Sequence, residues 1–226
     1  KFGKVATMMP KPISMDSGSG MHTNVSLWKN NVNAFYDKEA DLELSQVGRY
    51  FCGGIMSHAK ALTAITNPTT NSYHRLVPGY EAPVYIAWSS SNRSATIRIP
   101  AHFKGEKYAF MKRLEYRVPD PASNPYLVFS AVLAAGLDGI KKKTDPGDPV
   151  QEDIYKMSRS ERRKRGIDTL PANLGRALDE LESDRKFLSP IFSNEVLDKI
   201  IELERRDQRE ISIRPHPHEF YLYFDV

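Results

Sequence analysis

Three short segments of the chain carry the residue types most able to do chemistry. Successive side chains of a β-strand point to opposite faces, so each segment, read as a strand, has one apolar face and one chemically capable face. The segments are residues 22–28, 95–99 and 113–117. Their capable faces hold, in chain order, His22, Asn24, Ser26 and Trp28; Thr96 and Arg98; and Arg113, Glu115 and Arg117.

This mixture of side chains suggests an anion site beside a metal site. Arginine forks suit phosphate and carboxylate groups. One histidine with one glutamate suits a divalent metal that also keeps substrate oxygens as ligands. Phosphoryl transfer is the natural chemistry of such a pair of sites. A half-solvated sheet with its polar face outward explains the same alternation without any function, and both interpretations stay open on the pattern alone.

Two loops add candidates to these strands. Residues 16–20 form a glycine-rich loop just before His22, and its glycines let backbone approach a ligand closely or simply make a turn. Glu81 lies in a loop between Gly79 and Pro83. An acid at that place is either a gate or general base, or a solvated loop carboxylate.

The elements that must position these residues predict an α+β fold. Strands are expected at 22–28, 84–88, 95–99 and 113–117, with an edge strand at 220–226. Helices are expected at about 45–65, 124–142, 173–182 and 193–206. Strands followed by helices indicate an antiparallel sheet flanked by helices. We expect residues 1–120 to be mainly sheet and loops and residues 121–226 to be mainly helical.

Composition excludes several classes of protein. The chain has 226 residues, 40% of them apolar, and a single cysteine, so an internally disulfide-linked scaffold is excluded. No apolar stretch approaches the roughly 20 residues of a membrane span, and we expect no membrane partner. The net charge is only +4, from 32 basic and 28 acidic residues. That balance is weak evidence for nucleic acid, and none is expected as a partner.

Six collinear motifs carry a family resemblance. They are residues 9–12 (MPKP), 18–22 (GSGMH), 66–73 (TNPTTNSY), 75–83 (RLVPGYEAP), 92–100 (NRSATIRIP) and 119–121 (PDP). Together they resemble the C-terminal catalytic part of a type I glutamine synthetase, and the similarity covers nearly the whole chain. It implies part of a catalytic domain of the glutamine synthetase/guanido kinase-like type.

The resemblance also implies an activity and its small molecules. ATP would phosphorylate the γ-carboxylate of L-glutamate, and ammonia would displace phosphate from γ-glutamyl phosphate to give L-glutamine. Mg²⁺ or Mn²⁺ would be the cofactor. The enzyme would be cytoplasmic and would form a homo-oligomer, a dodecamer of two stacked hexamers.

Position by position, the resemblance implies a role for each motif residue. The metal ligands would be His22 and Glu115. The ATP-binding residues would be Asn24, Ser26, Trp28, Arg93, Arg98 and Arg113. The glutamate-binding residues would be Ser17, Gly18, His22, Arg75, Glu81, Arg93 and Arg117. The catalytic residues would be Glu81, Arg93 and Arg117, with Glu81 taking a proton from ammonium.

Departures from the family pattern leave alternatives open. Ser17 replaces a usual asparagine, and Asn24 replaces a common second histidine. Family members carry an N-terminal domain and further metal carboxylates ahead of the matching region, so we expect these 226 residues to be inactive alone. Two alternatives remain, a ligase that glutamylates another amine and a non-catalytic paralogue. Tyr155 lies near a tyrosine that some bacterial members adenylylate, but the residues after it resemble the unmodified subgroup.

Overall fold

A mixed sheet with helices packed against it forms the body of the protein. The computed structural model describes residues 2–79, 82–100 and 104–226, so the predicted site residue Glu81 lies outside the described residues. The strands are β1 (Thr23–Val25), β2 (Trp28–Lys29), β3 (Val32–Asn33), β4 (Tyr85–Ser89), β5 (Ala95–Arg98), β6 (Leu114–Tyr116) and β7 (Asp168–Thr169). The helices are α1 (Gln46–Ser57), α2 (Ala59–Thr66), α3 (Ser72–Arg75), α4 (Pro125–Lys142), α5 (Arg159–Lys164), α6 (Leu174–Ser183), α7 (Asn194–Ser212) and α8 (Pro217–Tyr223).

The main sheet confirms the predicted α+β class but is not purely antiparallel. Its strand order is β1-β6-β5-β4-β7, and every neighbouring pair is antiparallel except β4 and β5. The parallel pair arises because residues 90–94 turn back along β4. The Ser89 hydroxyl accepts the amides of Ser91 and Asn92 within that turn. Strand β5 therefore starts with Ala95 beside Tyr85.

Helices α1 and α4 cross with their backbones in contact beneath the sheet. A side chain on Gly54 would put its Cβ 2.2 Å from the Ala135 carbonyl oxygen, and one on Gly139 would put its Cβ 2.3 Å from the Tyr50 carbonyl oxygen. Only glycine permits this approach. Phe51, Ile55 and other fully buried side chains of these helices continue the core on either side of the crossing. None of the helices in the described ranges is both long and apolar enough to cross a membrane.

Three predicted elements differ from the structure. The strand expected at 22–28 is divided, because Trp28 belongs to β2 and pairs with Asn33 across a tight turn at Asn30 and Asn31, both with positive φ. The edge strand expected at 220–226 is wrong, since these residues lie in or just after α8. Pro217 in the first turn of α8 starts that helix, a signal that the aromatic alternation obscured.

The single helix expected at 45–65 is two helices, broken at His58. Both ring nitrogens of His58 bind carboxylates, with Nδ1 2.6 Å from Asp184 Oδ2 and Nε2 2.9 Å from Asp138 Oδ2. The ring also stacks on Phe187 with centroids 3.9 Å apart. The apolar pattern runs through the break without interruption, so only these long-range partners mark it.

His58 gives a stability prediction. Burial lowers the pKa of His58, but the hydrogen bonds to Asp184 and Asp138 outweigh it, so the pKa is raised. We expect His58→Ala to lower the free energy of unfolding by about 2 kcal/mol, the size of lost hydrogen bonds to charged groups. Urea unfolding followed by circular dichroism measures this loss.

The pH dependence distinguishes loss of the His58 hydrogen bonds from loss of packing when the side chain is shortened to alanine. Stabilisation by a group with a raised pKa is complete below its unfolded pKa and disappears as pH rises through the folded pKa. The difference between wild type and His58→Ala should therefore shrink at alkaline pH. Lys142 Nζ also lies 2.8 Å from Asp138 Oδ2 and is present in both proteins being compared. The exposed His74→Ala serves as the control, and a difference independent of pH would contradict the interpretation.

Candidate active site

A cavity of about 730 Å³ gathers six of the predicted site residues. It lies where the glycine-rich loop, α3, the 90–94 loop and the end of β6 meet. The predicted residues that line it are Ser17, Gly18, His22, Arg75, Arg93 and Arg117. The cavity therefore brings together residues that are as much as 100 positions apart in the chain.

Glu115 is the electrostatic centre of this region. Strand β6 lies between β1 and β5, and its Glu115 pairs in register with Asn24 on one side and Arg98 on the other. The carboxylate is only 6% exposed. Its Oε1 is 3.0 Å from His22 Nδ1, and its Oε2 is 2.7 Å from Arg98 Nη2. Arg117 Nε lies 3.7 Å from Oε1, within ion-pair range.

The neighbours of Glu115 favour its ionised form. Burial alone would raise the pKa of Glu115, because it disfavours the charged form. The hydrogen bond from His22 and the charges of Arg98 and Arg117 outweigh burial, so the pKa of Glu115 is lowered. A buried carboxylate that stays charged is available as a metal ligand.

His22 and Glu115 fit a divalent metal. Glu115 offers a carboxylate oxygen, the kind of ligand that Mg²⁺ prefers, and His22, hydrogen-bonded to it at 3.0 Å, offers an imidazole nitrogen beside it. Within the described ranges no group of three or more His, Cys, Asp or Glu side chains could hold a metal. The pair supplies two ligands, which leaves positions for water, phosphate oxygens or other side chains.

Two arginines beside Glu115 retain buried donors. The Nε atoms of Arg98 and Arg117 are buried and have no hydrogen-bond partner in the described part of the chain. A buried unpaired donor costs free energy unless a ligand satisfies it. Arg117 also donates from Nη1 to the Arg93 carbonyl oxygen at 2.6 Å, so it supports the loop that carries Arg93. The arrangement can bind an anion at Arg117 and Arg93.

The hydrogen bonds of Arg75 differ from those expected of a side chain that binds glutamate. Its Nη1 donates to the Val118 carbonyl oxygen at 2.7 Å, and its Nη2 donates to that of Arg117 at 3.1 Å. The side chain is buried, and burial lowers its pKa to about 10. In this structure Arg75 organises the backbone after β6 and lines the cavity, while its contact with substrate remains a prediction.

The glycine-rich loop lies directly on Arg75 and His22. A Cβ on Gly18 would be 3.0 Å from Arg75 Cγ, and one on Gly20 would be 2.7 Å from Arg75 Nη2 and 2.9 Å from His22 Nε2. The Ser19 amide donates to the Pro10 carbonyl oxygen and the Met21 amide to that of Pro119. Glycine is required here by close approach.

The remaining predicted nucleotide residues lie beside the cavity, on β1, β2 and the start of β6. Arg113 Nε donates to Asn24 Oδ1 at 2.9 Å, and Trp28 Nε1 donates to Ser26 Oγ at 2.9 Å. Asn24 and Trp28 are exposed. These residues form an open surface next to Glu115, reached from solvent.

Sequence reasoning assigned no role to several residues that hold the site. Asn67 Nδ2 donates to the Val118 carbonyl oxygen and to Asp120 Oδ2, so it supports the segment that Arg75 binds. Asn92 Nδ2 donates to the Glu152 carbonyl oxygen and tethers the Arg93 loop. Gln151 Oε1 accepts hydroxyls from three consecutive serines, Ser89, Ser90 and Ser91. The sequence offers one signal for Asn67 and Asp120, since each is a polar residue next to proline within a motif.

Comparison with known proteins identifies the family. The sequence model described as "Glutamine synthetase, catalytic domain" matches residues 1–223. The glutamine synthetase of Sulfolobus acidocaldarius is 57% identical over 100% of this chain and 48% of its own length. That of Archaeoglobus fulgidus is 46% identical over 99% of this chain and 46% of its own length. The chain spans about half the length of the curated relatives it matches.

Solved structures agree with the sequence comparison. The structure titled "GmaS/ADP complex-Conformation 1" has a TM-score of 0.83 at 35% identity, covering 97% of this chain and 49% of that one. The structure titled "CryoEM Plasmodium falciparum glutamine synthetase" has a TM-score of 0.82 at 33% identity, covering 96% and 49%. The fold is therefore that of a glutamine synthetase catalytic domain. The chain belongs to the glutamine synthetase family.

Asn67 gives a prediction about the site's support. Burial raises the pKa of Asp120, while hydrogen bonds from Ser72 and Asn67 oppose it. Removing Asn67 should raise the pKa of Asp120 further, so the penalty should grow as pH rises through the folded-state pKa of Asp120, which lies above the unfolded value of about 3.9. We expect Asn67→Ala to cost about 2 kcal/mol at neutral pH and less near pH 4. Urea unfolding across this pH range measures it. The exposed Asn194→Ala is the control, and a loss that is equal at both pH values would contradict the role of Asp120.

Proposed function

We propose that the whole protein containing this chain joins ammonia to L-glutamate with ATP, through γ-glutamyl phosphate. The observation that supports the proposal is the His22–Glu115–Arg98 cluster, in which a His–Glu pair suited to a divalent metal lies beside buried arginine Nε atoms without a hydrogen-bond partner in the described residues. Curated relatives named glutamine synthetase, up to 57% identical, support the same activity.

His22 and Glu115 would hold Mg²⁺ or Mn²⁺. When bound, the metal supplies charge neutralisation for the nucleotide phosphates. The exposed surface beside it, formed by Asn24, Ser26, Trp28, Arg98 and Arg113, would bind ATP. Arg98 would then face both the carboxylate of Glu115 and a phosphate, a bridging position that suits a planar guanidinium.

The cavity residues would bind glutamate and the transferred phosphoryl group. Ser17 and the backbone of Gly18 would contact glutamate next to Arg75, and Arg93 and Arg117 would neutralise the charge that moves from ATP to the γ-carboxylate. That carboxylate oxygen attacks the γ-phosphorus, and ADP leaves. Arg75 and Arg117 are held by hydrogen bonds to backbone carbonyls before substrate arrives, so little reorganisation of them is needed during the reaction.

Glu81 would complete the second half of the reaction. Ammonium loses a proton to Glu81, and the resulting ammonia forms a C–N bond as the C–O bond to phosphate breaks. Water must be kept from the same carbon, because γ-glutamyl phosphate would otherwise hydrolyse. The roles of Glu81 and its neighbours are proposed from the family motif that residues 75–83 match.

Exposed apolar surfaces support assembly into a homo-oligomer. Helix α4 presents a stripe of Tyr126, Phe129, Leu133 and Leu137, from 37% to 81% exposed, and Phe220, Tyr221 and Phe224 in and after α8 are at least 62% exposed. Surfaces of this kind mark contacts with partners. We propose the stacked double hexamer of the family, in the cytoplasm, with ATP, L-glutamate and ammonia as the small-molecule partners.

An activity assay of the whole protein tests the proposal. We expect glutamine and phosphate to form in equal amounts from ATP, glutamate and ammonia, and only when Mg²⁺ or Mn²⁺ is present. Preference for another amine in competition would favour the amine-ligase alternative. Nucleotide and metal binding without phosphate release would favour a non-catalytic paralogue. The 226 residues alone should form no glutamine, since their described part supplies only two metal ligands.

Glu115 provides the sharper test of the metal role. We expect Glu115→Gln to weaken Mn²⁺ binding in the whole protein at least tenfold, because a neutral amide is a poor ligand for a hard cation. Titration calorimetry with Mn²⁺ and a non-hydrolysable ATP analogue measures it. The exposed Glu195→Gln is the matched control. Unchanged Mn²⁺ affinity in a folded Glu115→Gln protein would remove Glu115 from the metal site.

A further inference from the structure

Tyr155 is a cavity residue that none of the roles above uses. It lies in a short 3₁₀ turn, Ile154–Lys156, whose preceding residue Asp153 accepts the Tyr155 amide at 3.0 Å. The Tyr155 hydroxyl donates a short hydrogen bond to the carbonyl oxygen of Ala82. The two residues are 73 positions apart, so this bond joins the second half of the chain to the segment that enters β4.

Packing against Tyr85 holds the Tyr155 ring in place, independently of the hydrogen bond to Ala82. It packs edge-on against Tyr85, with centroids 5.6 Å apart and an interplanar angle of 63°. Tyr85 is itself buried in β4, and the guanidinium of Arg162 lies over its ring at 4.8 Å. An aromatic side chain held in this way positions its hydroxyl with little loss of conformational freedom on bonding.

Ala82 lies in the cavity wall beside a residue with a proposed catalytic role. It is 8% exposed, lines the cavity and immediately follows Glu81 in the chain. Gly79, on the other side of Glu81, has a φ of +91°, a conformation that favours glycine. Tyr155 lines the same cavity as Ala82, Arg75 and Arg117. The hydrogen bond to Ala82 therefore lies within the wall that faces the arginines.

We propose that Tyr155 is a positioning residue whose hydroxyl, by holding the Ala82 carbonyl, fixes the cavity wall next to Glu81 and so couples ATP use to amide formation. This inference rests on the proposed function. With the wall fixed, ammonia reaches γ-glutamyl phosphate and water does not. With the wall loosened, a water oxygen forms the new bond to the carbonyl carbon as the C–O bond to phosphate breaks, which returns glutamate and phosphate without glutamine.

Tyr155→Phe in the whole protein tests the proposal, since it keeps the ring against Tyr85 and removes only the hydroxyl. One neutral hydrogen bond contributes about 1 kcal/mol, or about fivefold in a rate. We expect the excess of phosphate over glutamine, per glutamine formed, to rise about fivefold, while the Kd for ATP changes less than twofold. Tyr50→Phe, which alters a half-buried tyrosine on α1 that does not line the cavity, should leave both quantities unchanged.

Hydrogen–deuterium exchange gives a second readout that does not require activity. Peptides covering residues 76–88 should exchange about fivefold faster in Tyr155→Phe than in wild type or Tyr50→Phe. Faster exchange with an unchanged phosphate-to-glutamine ratio would overturn the coupling role, and unchanged exchange would overturn the anchor itself. If the wild-type protein makes no glutamine, the proposed function fails, and the exchange result still decides whether Tyr155 holds this wall.

Discussion

The buried carboxylate of Glu115 is the constraint on which the site depends. A carboxylate with 6% exposure is tolerated only when it is paired. Its partners are His22 just before β1, Arg98 at the end of β5 and Arg117 just after β6. The same requirement therefore sets the register of three strands and the composition of the site. The side chains that pair with Glu115 in the fold are therefore also able to take part in binding a metal ion and phosphate.

Support for the cavity comes from backbone carbonyls more than from side-chain pairs. Arg75 and Asn67 both donate to the Val118 carbonyl oxygen, and Arg117 donates to that of Arg93. Rigid carbonyl anchors place the arginines without using up every donor, because the Nε of Arg117 remains unsatisfied within the described residues. The site is thus held in place by the fold and left able to bind an anion.

Sequence patterns predicted individual helices and strands more reliably than the breaks within them and the pairing between them. Helix α4 begins at Pro125 as its Asn-Pro start signal indicates, and β5 and β6 lie where alternation places them. The break at His58 was missed because it depends on Asp138 and Asp184, which are 80 and 126 positions away. The parallel pairing of β4 and β5 was missed for the same reason, since it depends on how residues 90–94 fold back.

By itself the sequence determined the residue types of the site, the strand faces that carry them and the family to which the chain belongs. Local periodicity and contiguous motifs encode those properties directly. Only the tertiary structure decided that Arg75 is bound to backbone carbonyls, that Asn67 and Gln151 hold the cavity, and that Tyr155 reaches Ala82. These are contacts between distant segments, and their distances are set by packing of the whole core, which no local pattern records.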